Sequence, residues 1–433
     1  MAGSASAWAA SSDPARRPRL ESGRARAIDS SPIREARLDS RAAPRALLAC
    51  LVLVGCALLR PDRAPPLRLA FPSGRAHPAP EVESSRLLVA HGGYLDWCAG
   101  SNQIAFARQH SPALSEIHVI GADGAGERCL TCDQPDLPQP PQGRERTNIG
   151  AGYRSAPAWH PSCEFLVFQL GSPEFGGGAF ERPPFGIHND LWLIRADGSR
   201  AERLIALGRF EGVMSAFFSA EGERLVWSQR EPAQRPDAEL VSGRASKREE
   251  PFQGWTIVTA ELRVPAEGPA QLENRRELFR GESGVKRPSA LVGQTLWFAH
   301  TRGFQRFVDE IWRFDLADGS RENLSRSPRT WEEQALPSPW GSLLGYRSSL
   351  PYGWRMGPHR PNTMRLELWV QDAEGQRTQL TSKNRTGDNS LRVLVQDFAW
   401  GPTGREIAIY TANFGRDREP RHEIEILRLN HAF

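Results

Sequence analysis

Four cysteines and one histidine have the most chemically suggestive spacing in the chain. Cys129-Leu130-Thr131-Cys132 is a C-x-x-C step, with Cys98 upstream and His160 and Cys163 downstream. Two thiolates at that spacing can close a local disulfide or share one zinc ion. A zinc set would have to recruit Cys163 and His160. A single C-x-x-C step without a second pair points instead to a Cys129–Cys132 disulfide, and to no metal and no other cofactor. Cys98 and Cys163 lie in separate turns and can pair only if those turns bring their Cα atoms within about 7 Å. No G-x-S-x-G elbow, P-loop, G-x-G-x-x-G run or haem-attachment motif occurs. The carboxylates are scattered through turns and strand entries, so no catalytic residues are expected.

Those cysteines sit inside a repeat. An aromatic residue, a Gly or Pro turn and an apolar triplet recur six times, with triplets ending at Phe106, Phe168, Trp227, Phe298, Tyr346 and Ile409. The copies are spaced by 62, 59, 71, 48 and 63 residues. An acid opening an alternating strand follows, at Glu116, Asp190, Glu310, Glu367 and Glu423. Four of these strands run into Ala-Asp/Glu-Gly, at 122–124, 196–198, 317–319 and 373–375. An Asp-Gly step supplies the left-handed backbone of a hairpin turn, and alternation gives each strand one buried face. A Leu then opens an outer strand, at Leu130, Leu204, Leu324 and Leu380.

Six units of about 60 residues, each a four-stranded antiparallel meander, define an all-β, six-bladed β-propeller over residues 85–433. One blade cannot bury both faces; a ring of six can. Residues 85–90 have strand character and are expected to join the last blade beside 423–430, closing the ring. In this register the innermost strands turn Ser155, Arg287, Gln334 and Asp397 toward the central channel, as candidate ligand contacts. Of the 13 tryptophans, eight fall on repeat positions and are expected in the core between blades. Trp331, Trp340 and Trp354 are left as surface candidates. His160 is expected to be an exposed turn residue. Loop inserts around 175–189, 231–251, 302–308 and 347–365 are candidates for a rim around the channel.

The repeat resembles that of the TolB-like propeller family, Trp-Ser-Pro-Asp-Gly-Lys…Ile-Ala-Phe followed by Asp-Ile-Tyr…Asp-Gly…Leu-Thr. Trp400-Gly401-Pro402-Thr403-Gly404-Arg405 with Ile407, and the pairs Leu130-Thr131 and Leu380-Thr381, are close copies of its parts. The resemblance implies the fold. It does not imply TolB's own role, because no amino-terminal α/β domain is expected between the apolar segment and the first repeat. Nor is a hydrolase domain, as in peptidases of the prolyl-oligopeptidase type, expected after the sixth.

The amino-terminal part reads as an address. Residues 1–45 carry nine Arg against five acids, which is the whole net charge of +4. The remainder balances at zero, so no nucleic-acid partner is expected. This first stretch is too poor in apolar residues to bury a core and is expected to be a disordered leader. Residues 46–59 form an uncharged apolar run. As a helix it would span about 21 Å, short of the roughly 30 Å hydrocarbon core, and it fits a signal-peptide apolar region. Leu53-Val54-Gly55-Cys56 resembles the lipobox of bacterial lipoproteins, which implies lipidation at Cys56. A cleaved secretory signal and an uncleaved anchor remain the alternatives. Residues 60–84 would then be a Pro-rich tether. The expected protein is an exported monomer, periplasmic or outer-membrane-associated. It acts as a non-catalytic envelope scaffold that binds a protein or peptide on one propeller face. The alternative is a lyase or hydrolase acting on carbohydrate through the channel residues.

Overall fold

Each copy of the repeat folds into one sheet of four antiparallel strands, six sheets in all. The computed structural model describes residues 79–111, 114–139, 152–172, 185–208, 211–231, 254–301, 308–352, 364–384, 392–415 and 420–433. No helix among them is long and apolar enough to cross a membrane. Cys56 and the segments 1–45 and 46–59 lie outside the described residues, as do Trp354 and much of each loop insert.

The repeat's signature residues explain the blade. The glycines of the four Ala-Asp/Glu-Gly turns take φ of +94°, +76°, +74° and +83°, the left-handed region that a side chain would resist. The acid that opens the third strand binds the hydroxyl that follows the outer-strand Leu. The Thr131 hydroxyl donates to Glu116 and accepts the Ile117 amide at 2.9 Å. The Thr381 hydroxyl donates to Glu367 at 2.6 Å and accepts the Leu368 amide at 2.8 Å. In blade four Ser325 Oγ accepts the Ile311 amide at 3.0 Å. The acid and the Leu-Thr step, far apart in the repeat, thus form one latch between the third strand and the end of the fourth.

The alternating faces bury between blades rather than within them. Each of the six blade interfaces has its own apolar cluster. Phe168 and Leu166 of blade two meet Ala105 and Val119 of blade one; Phe398 and Ile409 of blade six meet Leu368 and Val370 of blade five. Trp227 and Trp255 are almost wholly buried. Truncating a fully buried Trp to Ala typically costs about 3–5 kcal/mol.

The ring closes across the two ends of the described chain. Val82–Ala90 pairs antiparallel with Arg421–Leu429 as the outermost strand of blade six. The strand begins at Val82, within the stretch expected as tether. The Asn430 amide donates to the Glu81 carbonyl at 3.0 Å, and the His91 amide to the His422 carbonyl at 2.7 Å. This pairing gives the last blade its fourth strand and covers an edge that would otherwise expose a row of unpaired amides.

A disulfide joins Cys98 in blade one to Cys163 in blade two, with Cα atoms 5.9 Å apart. Another joins Cys129 to Cys132 at the outer strand of blade one. Cys163 is therefore committed to Cys98, and the set Cys129, Cys132, Cys163 and His160 does not come together as zinc ligands. His160 is not a free turn residue. Its Nε2 lies 3.1 Å from the Gly222 carbonyl, and its ring stacks on Phe165 with Phe218 edge-on. It ties the turn of blade two to that of blade three, an inter-blade contact that the local sequence around residue 160 does not show.

Candidate ligand-binding cavity

The six innermost strands share an irregularity. They are Gly92–Cys98, Arg154–Trp159, Gly212–Phe218, Lys286–Val292, Glu332–Pro337 and Arg392–Trp400. Each carries a register shift against its neighbour at the same level of the ring, between Met214 and Phe217 in blade three, for example, and between Val395 and Asp397 in blade six. Ala156, Ser215 and Gln334, at three of these shifts, have φ of 49°, 53° and 54°. A bulge re-aims side chains and interrupts the strand's pairing. Six bulges at one level turn the inner wall of the propeller into a shaped cavity.

That cavity has a volume of about 170 Å³, is open to solvent, and is lined by residues from all six inner strands. Leu95, Ala216, Phe217, Pro288, Leu336 and Phe398 give it apolar walls. Its polar lining includes Tyr94, Asp96, Arg287, Gln334, Arg347 and Asp397. Of the four residues singled out from the sequence, Arg287, Gln334 and Asp397 lie on the lining. Ser155 is fully buried beside it and pairs in register with Gln169, which does line the cavity. The bulge that follows Ser155 hands the lining to Ala156, Pro157 and Ala158.

Two aspartates lace neighbouring blades together around the cavity. Asp96 accepts the amides of Trp97 at 2.8 Å and of Trp159, in the next blade, at 2.7 Å. Asp397 accepts its neighbour Phe398's amide at 2.9 Å and, from blade one, that of Leu95 at 2.9 Å. The side-chain amide of Gln334, in blade five, also donates to Asp397 and to the Phe398 carbonyl at 3.1 Å. Burial pushes both carboxyls up, from an ordinary 3.8 to about 6, against the amide hydrogen bonds that favour the anion. Burial also raises the Tyr94 phenol, whose hydroxyl donates to Gln396 at 3.2 Å.

The two arginines are anchored from behind. Arg287 forms an ion pair with buried Asp309, and its guanidinium lies 5.7 Å from the Trp331 ring centroid. Arg347 pairs with Glu333 at 2.9 Å and also donates to the Gln396 carbonyl. Gln334 Oε1, an acceptor, and Arg287 Nε and Arg347 Nε, both donors, are buried with no hydrogen-bond partner in the protein. Leaving such a group unmatched costs about 1–3 kcal/mol, so the wall suits a ligand that brings both donors and acceptors. Trp340 is 71% exposed and lies outside the cavity lining; its indole donates to the Thr403 carbonyl at 3.0 Å.

The sequence singled out neither Tyr94 nor Asp96 nor Glu333, and it put Arg347 at the start of a loop insert, whereas Arg347 stands in the strand Leu343–Ser348. Asp96 directly precedes the repeat aromatic Trp97, a placement that could have flagged it. Glu333 and Arg347 become partners only through the cross-strand register of blade five.

The fold and cavity together define the class: a six-bladed β-propeller with a mixed apolar and polar central cavity. No protein-family profile matches the chain, and no curated protein does. Solved structures similar to it include TolB from Acinetobacter baumannii, at 14% identity and a TM-score of 0.44, covering 77% of this chain and 65% of that one. An oligogalacturonate lyase in complex with manganese is similar at 12% identity and TM-score 0.41, over 81% of this chain and 95% of that one. A prolyl endopeptidase is similar at 14% identity and TM-score 0.39, over 78% of this chain and 41% of that one. At these values the likenesses carry no functional argument, and the fold rests on the six sheets themselves.

Proposed function

We propose that this protein is a non-catalytic, exported envelope protein whose central cavity holds an extended segment of a protein or peptide partner. The observation that carries this reading is the state of the wall carboxylates. Both oxygens of Asp96 and both oxygens of Asp397 are occupied by donors from the protein, most of them backbone amides. Glu333 is held by Arg347. Among the described lining residues Asp96 and Asp397 stitch one blade to the next, which fixes their carboxylates as structural acceptors, whereas a general base must aim a lone pair at substrate. The raised carboxyls near 6 are the one feature favouring the alternative, a lyase or hydrolase acting on carbohydrate.

A peptide suits the wall because its backbone offers alternating donors and acceptors to Gln334, Arg287 and Arg347, while its side chains meet Phe217, Leu336 and Phe398. Export by the 46–59 segment, with lipidation at Cys56 and residues 60–84 as tether, would place the cavity at a membrane surface outside the cytoplasm.

Selection of binders from a random peptide library on the immobilised full chain tests this directly. Binding of the selected peptides should weaken at least tenfold in Gln396→Trp, which fills the cavity, and stay unchanged in Trp340→Ala. Peptides that bind Gln396→Trp as tightly as the parent overturn the reading. So does turnover of an oligosaccharide that Asp397→Asn abolishes.

A further inference from the structure

On the outer part of blade one, away from the central cavity, three soft or nitrogen donors converge. His118 on the third strand stands in register opposite Cys129 on the fourth. A ring nitrogen of His118 and the sulfurs of Cys129 and Cys132 lie within 4.8 Å of one another. His118 is only 9% exposed. Its Nδ1 lies 2.9 Å from Glu127 Oε1, and Arg108 clamps that carboxylate with bonds of 2.7 and 2.6 Å. A carboxylate fixed by an arginine accepts hydrogen bonds, so Nδ1 carries the ring proton and Nε2 keeps its lone pair. That Nε2 is buried with no hydrogen-bond partner.

Carboxylate, imidazole and free Nε2 in that order form the arrangement by which proteins orient a histidine toward a metal. The cysteine side fits as well. The Cys132 amide donates to Cys129 Sγ at 2.9 Å, a bond that stabilises a thiolate there. The Cys129 and Cys132 Cα atoms are 5.6 Å apart. Sulfurs sharing a tetrahedral zinc at about 2.3 Å stand roughly 3.8 Å from each other, which side-chain rotation alone can reach from that Cα spacing.

We propose that reduction of the Cys129–Cys132 disulfide converts this corner into a site for a thiophilic divalent cation, Zn²⁺ foremost. Cys129 Sγ, Cys132 Sγ and His118 Nε2 are the protein ligands, Glu127 is the orienting carboxylate, and the fourth position faces solvent. The reductant is a dithiol. Its thiolate attacks the exposed Cys132 sulfur and Cys129 leaves as the thiolate; the reductant's second thiol then releases Cys132 and closes its own disulfide. Two electrons pass to the cysteine pair, and two protons reach solvent as the cation binds both sulfurs as thiolates. Cys98, by contrast, is 2% exposed within the interface of blades one and two, so its sulfur is shielded, while its partner Cys163 is half-buried. The site is closed in the oxidised protein and open in the reduced one, which makes metal occupancy a readout of the surrounding thiol poise.

The test uses the full chain with and without prior mild reduction, under anaerobic conditions, titrated with Co²⁺ and then Zn²⁺. The reduced protein should bind one Co²⁺ with thiolate charge-transfer and tetrahedral ligand-field bands that Zn²⁺ abolishes. The oxidised protein should show neither. Alkylation mapped by mass spectrometry should find Cys129 and Cys132 protected by Zn²⁺, with the labelling of every other cysteine the same with and without Zn²⁺. Glu127→Gln should weaken binding about 10- to 100-fold. The proposal falls if the reduced chain gives no stoichiometric bands, if Zn²⁺ protects other cysteines instead, or if the oxidised chain binds equally well. The alkylation map needs no variant, so it holds even if Cys129→Ser fails to fold.

Discussion

Replacing Asp397 by Asn probes the lacing between blades and gives a pH signature that simple damage would not. In the parent, Asp397 accepts the Leu95 amide on one oxygen and the Phe398 amide and Gln334 on the other. Asn keeps the shape but presents an NH₂ group to one of those donors. A buried donor facing a donor costs about 1–3 kcal/mol. Against this runs the proton. The folded carboxyl titrates near 6 and the unfolded one near 3.8, so between those values the folded chain holds a proton the unfolded chain has lost. The stability from that proton is complete below the unfolded value and is lost as pH rises through 6. At 1.36 kcal/mol per pKa unit the whole effect is about 3 kcal/mol, of which about 2 kcal/mol falls between pH 4.5 and 7.5. Asn does not titrate, so Asp397→Asn should be less stable than the parent at pH 4.5, and the deficit should shrink by about 2 kcal/mol at pH 7.5. Urea denaturation followed by tryptophan fluorescence, at both pH values and constant ionic strength, measures this. A deficit that stays constant or grows with pH refutes both the raised carboxyl and the reasoning from burial.

Removing the Cys98–Cys163 disulfide by paired Ser substitution frees a loop with a sequence separation of 65. Chain-entropy arguments put the loss at up to about 4 kcal/mol, to be read as a lowered urea midpoint with unchanged near-ultraviolet dichroism before the transition. Gly222→Ala should cost about 1–3 kcal/mol. Gly222 has φ of +79°, and a Cβ there would stand 2.7 Å from His160 Nε2. If it melts with the parent, the His160 bridge between blades two and three is not a structural contact.

The propeller was legible because its signals are local. The Asp-Gly turns, the acid at the third-strand entry and the Leu-Thr that latches onto it all fall within one repeat. Ring closure was legible too, since residues 85–90 had a strand's pattern, with a strand laid loosely on blade one as the other reading; the pairing with Arg421–Leu429 decides for closure. The cavity was less so. Its shape comes from bulges, and Ala156, Ser215 and Gln334 take left-handed φ without being glycine, so nothing in their types marks them. A bulge moves the lining by a residue, which is why Ser155 is buried while its successors face the cavity. The Glu333–Arg347 pair and the His160–Gly222 bridge needed cross-strand or cross-blade geometry. His118 gave no sequence signal as a donor because the spacing of 11 residues to Cys129 means nothing until the two strands pair.

The most direct measurement of the central claim is amide hydrogen exchange on the full chain, with and without a saturating library-selected peptide. The account expects slowed exchange at the bulged segments of the inner strands, around Leu95, Ser289, Gln334 and Gln396, with the outer strands unchanged. Protection confined to the outer strands, or to the exposed turn around Trp340, would contradict binding in the central cavity.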